Sequence, residues 1–254
     1  MRTLLYVPII HTSADLGSMA EDVDRRGLEN FGKNIWQDHL RTIDGYWDAL
    51  SLYFDSIKVF GAKIFQDGMV ADGEVGLHII QEGEKAGSKN HRLVSKLLQR
   101  GAILMKTEDF ALVKKERDRL LKIIHAKTTA EKLFGLIIYK STKKLLLKQR
   151  DEFIAQRIDN ALDEAETGIL FIGAYHHIKP RLLRDIKIKE IKETRKIKEY
   201  QSLLPFYHKN RKRFEDLSGY LISEIDGGDS RCLWSLSVGA VREPPSALGV
   251  RSED

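Results

Sequence analysis

Gly168–His177 reads GILFIGAYHH. Ile169 to Ile172 form a short, continuous apolar run bounded by glycines, the pattern of a strand buried on both faces inside a parallel sheet. The run stops at Gly-Ala-Tyr-His-His, residue types that suit a site better than a core. Three other apolar runs end in the same way. LLYVPII (4–10) meets His11, SIKVFGAKIF (56–65) meets Gln66 and Asp67, and AILMK (102–106) meets Thr107, Glu108 and Asp109. In open α/β sheets ligands bind beyond the carboxyl ends of the strands, so these four endings predict one crevice lined by two histidines and two or three carboxylates.

Between the apolar runs the pattern is helical. Thr12 or Ser13 can cap a helix starting near Asp15. Ile35, Trp36, Leu40, Ile43, Trp47, Leu50 and Phe54 recur at three- and four-residue spacing and predict an amphipathic helix over 34–54, with Gly45 a candidate break. A strand is expected at 57–65, two short helices at 73–85 and 91–99 with Ser88 as a cap, and a strand at 102–106. A long charged helical stretch over 110–166, interrupted near 127–129, then leads back to Gly168. IKIKEIK (186–192) alternates strictly and reads as an edge strand. The stretch 194–225 reads as a final helix, kinked or divided at Pro205. This alternation predicts an α/β fold: a largely parallel sheet sandwiched by helices in three αβα layers, with a helical C-terminal part. Residues 1–225 are expected to form one domain, and 226–254, where lysine disappears and Gly, Ser and Pro accumulate, a poorly ordered tail.

Composition sets outer bounds. At 254 residues, with 42% apolar and 31% charged positions, the chain can bury a full core and sits at the upper end of a single-domain size. No apolar run approaches the ~20 residues that span a bilayer, and Met1 to His11 lacks the cleavage site of a signal peptide. A cytoplasmic protein is expected. The single cysteine, Cys232, excludes an intramolecular disulfide and any cysteine-based zinc site, which agrees with a reducing compartment.

The strand-end residues carry the candidate chemistry. Imidazole and carboxylate ligands from different strands commonly hold a divalent ion, which makes His11 and His176 candidate ligands. His177 is set aside, because adjacent side chains on an extended segment point to opposite faces. Asp67-Gly68 reads equally as a turn that Asp67 merely caps, and Glu108 and Asp109 suit the N-terminus of the helix from Phe110. His78 and His91 read as ordinary helix histidines. GEVGLHIIQEGEKAGSKNHRL has no Walker or dinucleotide-loop pattern, and Ser13 and Ser141 sit in no nucleophile-elbow context.

Residues 149–174, QRDEFIAQRIDNALDEAETGILFIGA, carry a resemblance. An Arg-Asp pair opening a helix, followed by a strand ending in Gly-Ala-x-His, resembles the TraB/PrgY/TIKI family and its relatives among the erythromycin esterase and ChaN-like proteins. Their hallmark is a GxxH near each end of a compact α/β domain, with a glutamate and an arginine between. Gly173-Ala174-Tyr175-His176 supplies the second motif and Arg150 matches the arginine. At the first motif, Pro8-Ile9-Ile10-His11 has Pro where the family has Gly, and Asp67 or Glu108 stands for the glutamate. The resemblance implies a metal-dependent hydrolase using Mn, Co or Zn, with Asp67 or Glu108 as base and Arg150 gripping an anionic group of a small-molecule or peptide substrate. Peptide, ester and phosphoester bonds are all compatible with it.

Charge suggests a different class. Lys179 to Arg213 holds 13 Lys or Arg against four Asp or Glu, a net of +9 within a chain of +5. Such a segment can bind nucleic acid (RNA or DNA) or an anionic membrane through phosphates, with Tyr200, Phe206 and Tyr207 for stacking, or can be a solvated face. A non-enzymatic regulatory protein on the same fold is a third possibility.

Overall fold

The computed structural model describes residues 1–226. Apart from Asp226, the expected tail lies outside the described residues. Five strands form one all-parallel sheet: β1 (Arg2–Ile9), β2 (Lys63–Gln66), β3 (Ile103–Leu104), β4 (Thr167–Gly173) and β5 (Ile186–Glu190), in the order β3-β2-β4-β1-β5. The helices are α1 (Ala20–Phe31), α2 (Lys33–Asp55), α3 (Gly73–Lys85), α4 (Lys89–Gln99), α5 (Phe110–Ile124), α6 (Thr129–Ala161), α7 (Thr194–Leu203) and α8 (Arg211–Ile222). The α/β class expected from the run-and-ending pattern is the one observed.

Helices cover both faces of the sheet, because the strands are apolar on both sides. Leu5, Val7 and Ile9 of β1 and Phe171 of β4 pack with Trp47, Leu50 and Phe54 of α2, Leu97 of α4 and Phe214 of α8. Leu4, Tyr6, Leu170 and Ile172 point the other way, onto Ile154 and Ile158 of α6. Each such side chain contributes about 1.5–3 kcal/mol on full burial, so the two central strands dominate the core. β5 lies at the sheet edge, as its alternation predicts.

Several boundaries differ from expectation. The second strand starts at Lys63 rather than 57, because Gly61 takes φ +75° and Phe60 turns out to solvent. Gly45 does not break α2: a Cβ there would lie 2.8 Å from Ile222 Cγ2, so the glycine lets α8 approach. The helix before β4 ends at Ala161 instead of 166, and Ala165 takes φ +62° before the strand begins. The final helical stretch is divided, as Pro205 suggests, into α7, a 3₁₀ segment Leu204–Lys209 and α8. Thr12 caps a 3₁₀ turn, Ser13–Met19, through a reciprocal box with Asp15, and Ser88 caps α4. Among the described residues no helix is long and apolar enough to cross a membrane.

Candidate functional site

The topology opens a crevice where the strand-end residues lie. β1 connects to β2 across the face covered by α2, whereas β4 connects to β5 past Ile178 and Leu182 on the face covered by α6. Chains leaving two adjacent strands in opposite directions create a switch point between them. β1 and β4 end level, with Ile9 opposite Gly173, so His11 and His176 emerge at the same height. Asp67 follows β2 and is drawn to the same edge, its backbone N–H donating to the Phe171 carbonyl at 2.8 Å. Beyond β3, the Thr107 and Glu108 N–H groups both donate to the Met69 carbonyl at 2.9 Å, tying the third strand ending to the second.

Three of the other four expected residues, His11, His176 and Arg150, meet Asp67, and Arg150 links it to the fourth, Glu108. Asp67 Oδ2 lies 3.3 Å from His11 Nε2 and 3.6 Å from His176 Nε2, and accepts the Gly173 N–H at 2.9 Å. A Cβ on Gly173 would itself come within 2.9 Å of that oxygen, so only glycine permits the approach. Arg150 Nη2 donates to Asp67 Oδ1 at 2.8 Å, and the guanidinium grips Glu108 in a two-pronged pair, Nε to Oε2 at 2.5 Å. Its remaining arm, Nη1, reaches Glu116 of α5. Asp67, Glu108 and His176 can place one ligand atom each within 4.8 Å of one another.

The surroundings set the protonation of these groups. Burial disfavours charge on His11 and His176, but the Asp67 carboxylate facing both, with Asp151 behind His176, outweighs it and raises both above the ordinary imidazole value. Asp67 is buried too, yet His176, His11 and Arg150 hold it well below the usual carboxylate range. Glu108 is pushed up, its burial outweighing the Arg150 pair. Asp67 is therefore the ionised centre of the cluster. His11, with 36% of its side chain exposed, is the member that meets solvent.

Two expectations change in role. Arg150, expected to grip a substrate anion, is buried, and its guanidinium is engaged by Glu108, Asp67 and Glu116. Glu108 is fully buried, with both oxygens accepting from Arg150 and Oε1 also from the Gly68 N–H, which leaves Asp67 the better placed carboxylate. Asp109 caps α5 through the Leu112 N–H at 3.0 Å.

Asp151 escapes the strand-end reading. Its Oδ1 lies 2.6 Å from His176 Nδ1 and its Oδ2 accepts the His177 N–H at 2.9 Å. Arg150-Asp151 also reads as an exposed helix pair, but Ile154, Ala155 and Ile158 continue the same helical stripe into the core, and that spacing is the signal that places both residues inward. His91 also joins the periphery: its Nδ1 lies 2.8 Å from Ser88 Oγ, which donates to Asp15, and its Nε2 lies 3.4 Å from Gln66 Nε2. Beside His176 a cleft of about 520 Å³ is lined by Tyr6, His177, Lys179, Arg195 and Lys198.

Comparison with known proteins finds no matching family model, no matching curated protein and no matching solved structure. The basic segment 179–213 is distributed over several elements. Lys179 pairs with Glu190, Lys196 with Glu193, Arg211 with Glu215 and Arg213 with Glu199, while Lys192 is buried against the Tyr220 and Ser223 carbonyls. This internal pairing reduces the charge available to a phosphate backbone.

Proposed function

We propose that this protein is a divalent-metal-dependent hydrolase, a distant relative of the TraB/PrgY/TIKI proteins, working in a reducing, cytoplasmic compartment. One observation carries the reading: two imidazole Nε2 atoms from different strand ends converge on one carboxylate oxygen, at 3.3 and 3.6 Å. Donors bound to one ion at about 2.0–2.2 Å lie ~2.8–3.6 Å apart between right and tetrahedral angles, so each imidazole–carboxylate spacing fits shared coordination. The charge balance supports it as well. Three carboxylates, Asp67, Glu108 and Glu116, face a single guanidinium, Arg150, and a fourth, Asp151, faces His176; with the imidazoles neutral, as ligands are, this leaves an excess of negative charge that a divalent cation offsets.

In this reading His11, Asp67 and His176 hold the ion, with Mn, Co or Zn suited to such a mixed donor set. When bound, such an ion lowers the pKa of water and polarises the scissile bond. The chain's own groups do the rest. Asp151 fixes His176 with the proton on Nδ1 and Nε2 free to ligate. Arg150 holds Asp67 and Glu108 apart and oriented. The cleft beside His176 carries Lys179, Arg195 and Lys198 against Glu190 and Glu193, a small cationic excess that an anionic group of a substrate would meet.

Metal analysis of purified protein, with a hydrolysis screen on p-nitrophenyl phosphate, p-nitrophenyl acetate and peptides plus added Mn, Co or Zn, tests the proposal. A stoichiometric ion lost in both His11→Ala and His176→Ala, together with any metal-dependent turnover, supports it. A wild-type protein that takes up no divalent ion overturns it.

A further inference from the structure

α5 and the first half of α6 form a helical hairpin that packs chiefly on itself. α6 runs 33 residues, about 50 Å, and its buried residues begin only at Leu146, with those packed on the sheet beginning at Ile154, so about 25 Å of it projects. Within this part Gly135, Tyr139, Thr142 and Leu146 recur at helical spacing as the buried or half-buried stripe, and Gly135 lies against Ile123 of α5. Further large apolar residues lie beside and behind this stripe, of which Phe134 and Ile138 line an open cleft with Leu121 and Lys122 of α5 and with His125. Leu133, Phe134, Ile137, Ile138 and Leu145 are between 38% and 66% exposed, an unusual arrangement for large apolar side chains on one helix. Exposed Lys132, Lys140, Lys143, Lys144 and Lys148 lie beside and among these residues. Residues 110–148 hold 11 Lys or Arg against three Asp or Glu, a net of +8 in a chain whose total is +5.

We propose that this hairpin is a membrane-surface module that lays its exposed apolar side chains at the headgroup boundary of an anionic bilayer. The charge selects the occupant. An interfacial helix needs an apolar stripe of large side chains bordered by cations, whose alkyl stems lie along the apolar surface while their heads reach lipid phosphates and carboxylates. A second copy of this chain would bring two faces of +8 together, which opposes self-association. The placement has a consequence for the strand-end site. α5 starts at Phe110, two residues after Glu108, and α6 returns to the site at Arg150, so docking would bring the carboxyl edge of the sheet toward the lipid. The proposal stands independently of the hydrolase reading.

Co-sedimentation of the full chain with large vesicles tests it, using phosphatidylcholine alone and phosphatidylcholine with roughly a third phosphatidylserine. Binding to the anionic vesicles is expected, weakening strongly between about 0.1 and about 0.5 M salt. Phe134→Glu with Ile138→Glu, and separately Lys140→Glu with Lys143→Glu and Lys144→Glu, should each weaken it by about tenfold or more with the circular dichroism spectrum unchanged. Phe134→Ser with Ile137→Ser serves if the first pair disturbs folding. No binding to anionic vesicles overturns the proposal, as does binding that the apolar substitutions leave intact. A dimer in light scattering that dissociates in the Phe134 variants, without vesicle binding, would assign the face to a second copy instead.

Discussion

Asp151 Oδ1 sits 2.6 Å from His176 Nδ1, on the side of the ring away from Asp67. The carboxylate thereby sets the imidazole's orientation and leaves Nε2 toward the cluster, the arrangement that outer carboxylates commonly give metal-binding histidines. Asp151→Asn keeps the shape but removes the charge. Divalent-ion affinity should fall by about 10–100-fold in isothermal titration, with the melting temperature changed far less than for a lost core residue. Unchanged affinity would reduce Asp151 to a structural partner of the His177 N–H.

Gly173→Ala should be far more damaging than its size suggests. The added methyl would stand 2.9 Å from Asp67 Oδ2 and displace the carboxylate from both imidazoles and from the Gly173 N–H. Overpacking of this kind costs about 1–3 kcal/mol, readable from a urea midpoint, and ion binding should be lost with it. An Ala variant that binds ions normally would show that Asp67 does not need its present position.

The strand endings were legible because a parallel strand buried on both faces is a continuous apolar run, and where it stops the polar residues are placed by topology. His11, Asp67, Glu108 and His176 follow from that alone. Asp151 and Glu116 do not, because they reach the site from helices, and a helix stripe with a charged first member reads as surface unless its continuation through Ile154 and Ile158 is followed. Glycines were the least legible. Gly45 looks like a break, yet whether a glycine interrupts a helix or admits a neighbour depends on Ile222, far away in sequence.

Arg150 joins three carboxylates on three segments, Asp67, Glu108 and Glu116. Removing a buried charge leaves its partners uncompensated, which costs about 3–5 kcal/mol, unlike the near-zero value of an exposed pair. Arg150→Met should therefore lower the denaturation midpoint markedly, while Arg25→Met, breaking the exposed pair with Asp22, should barely move it. Equal effects would contradict the clamp. Arg150→Lys should retain part of the stability but not the two-pronged grip on Glu108.

His39 gives the fold a pH dependence remote from the strand-end site. It lies between the Trp36 and Tyr200 rings, with Nδ1 2.9 Å from the Tyr200 hydroxyl, and burial lowers its pKa from 6.5 to about 4. Between those values the folded protein keeps the ring neutral while the unfolded chain takes up a proton. The unfolded state then binds more protons, so stability is full above 6.5 and falls as pH drops toward 4. At about 1.4 kcal/mol per pKa unit the window is worth about 3 kcal/mol. His39→Gln can still pair with the Tyr200 hydroxyl but cannot titrate. Urea midpoints measured between about pH 7 and about pH 4.5 should therefore fall less steeply for the Gln variant than for wild type, by close to one proton per molecule. Parallel slopes would mean that His39 is protonated in the folded state, and that the Trp36–Tyr200 pocket accommodates an imidazolium.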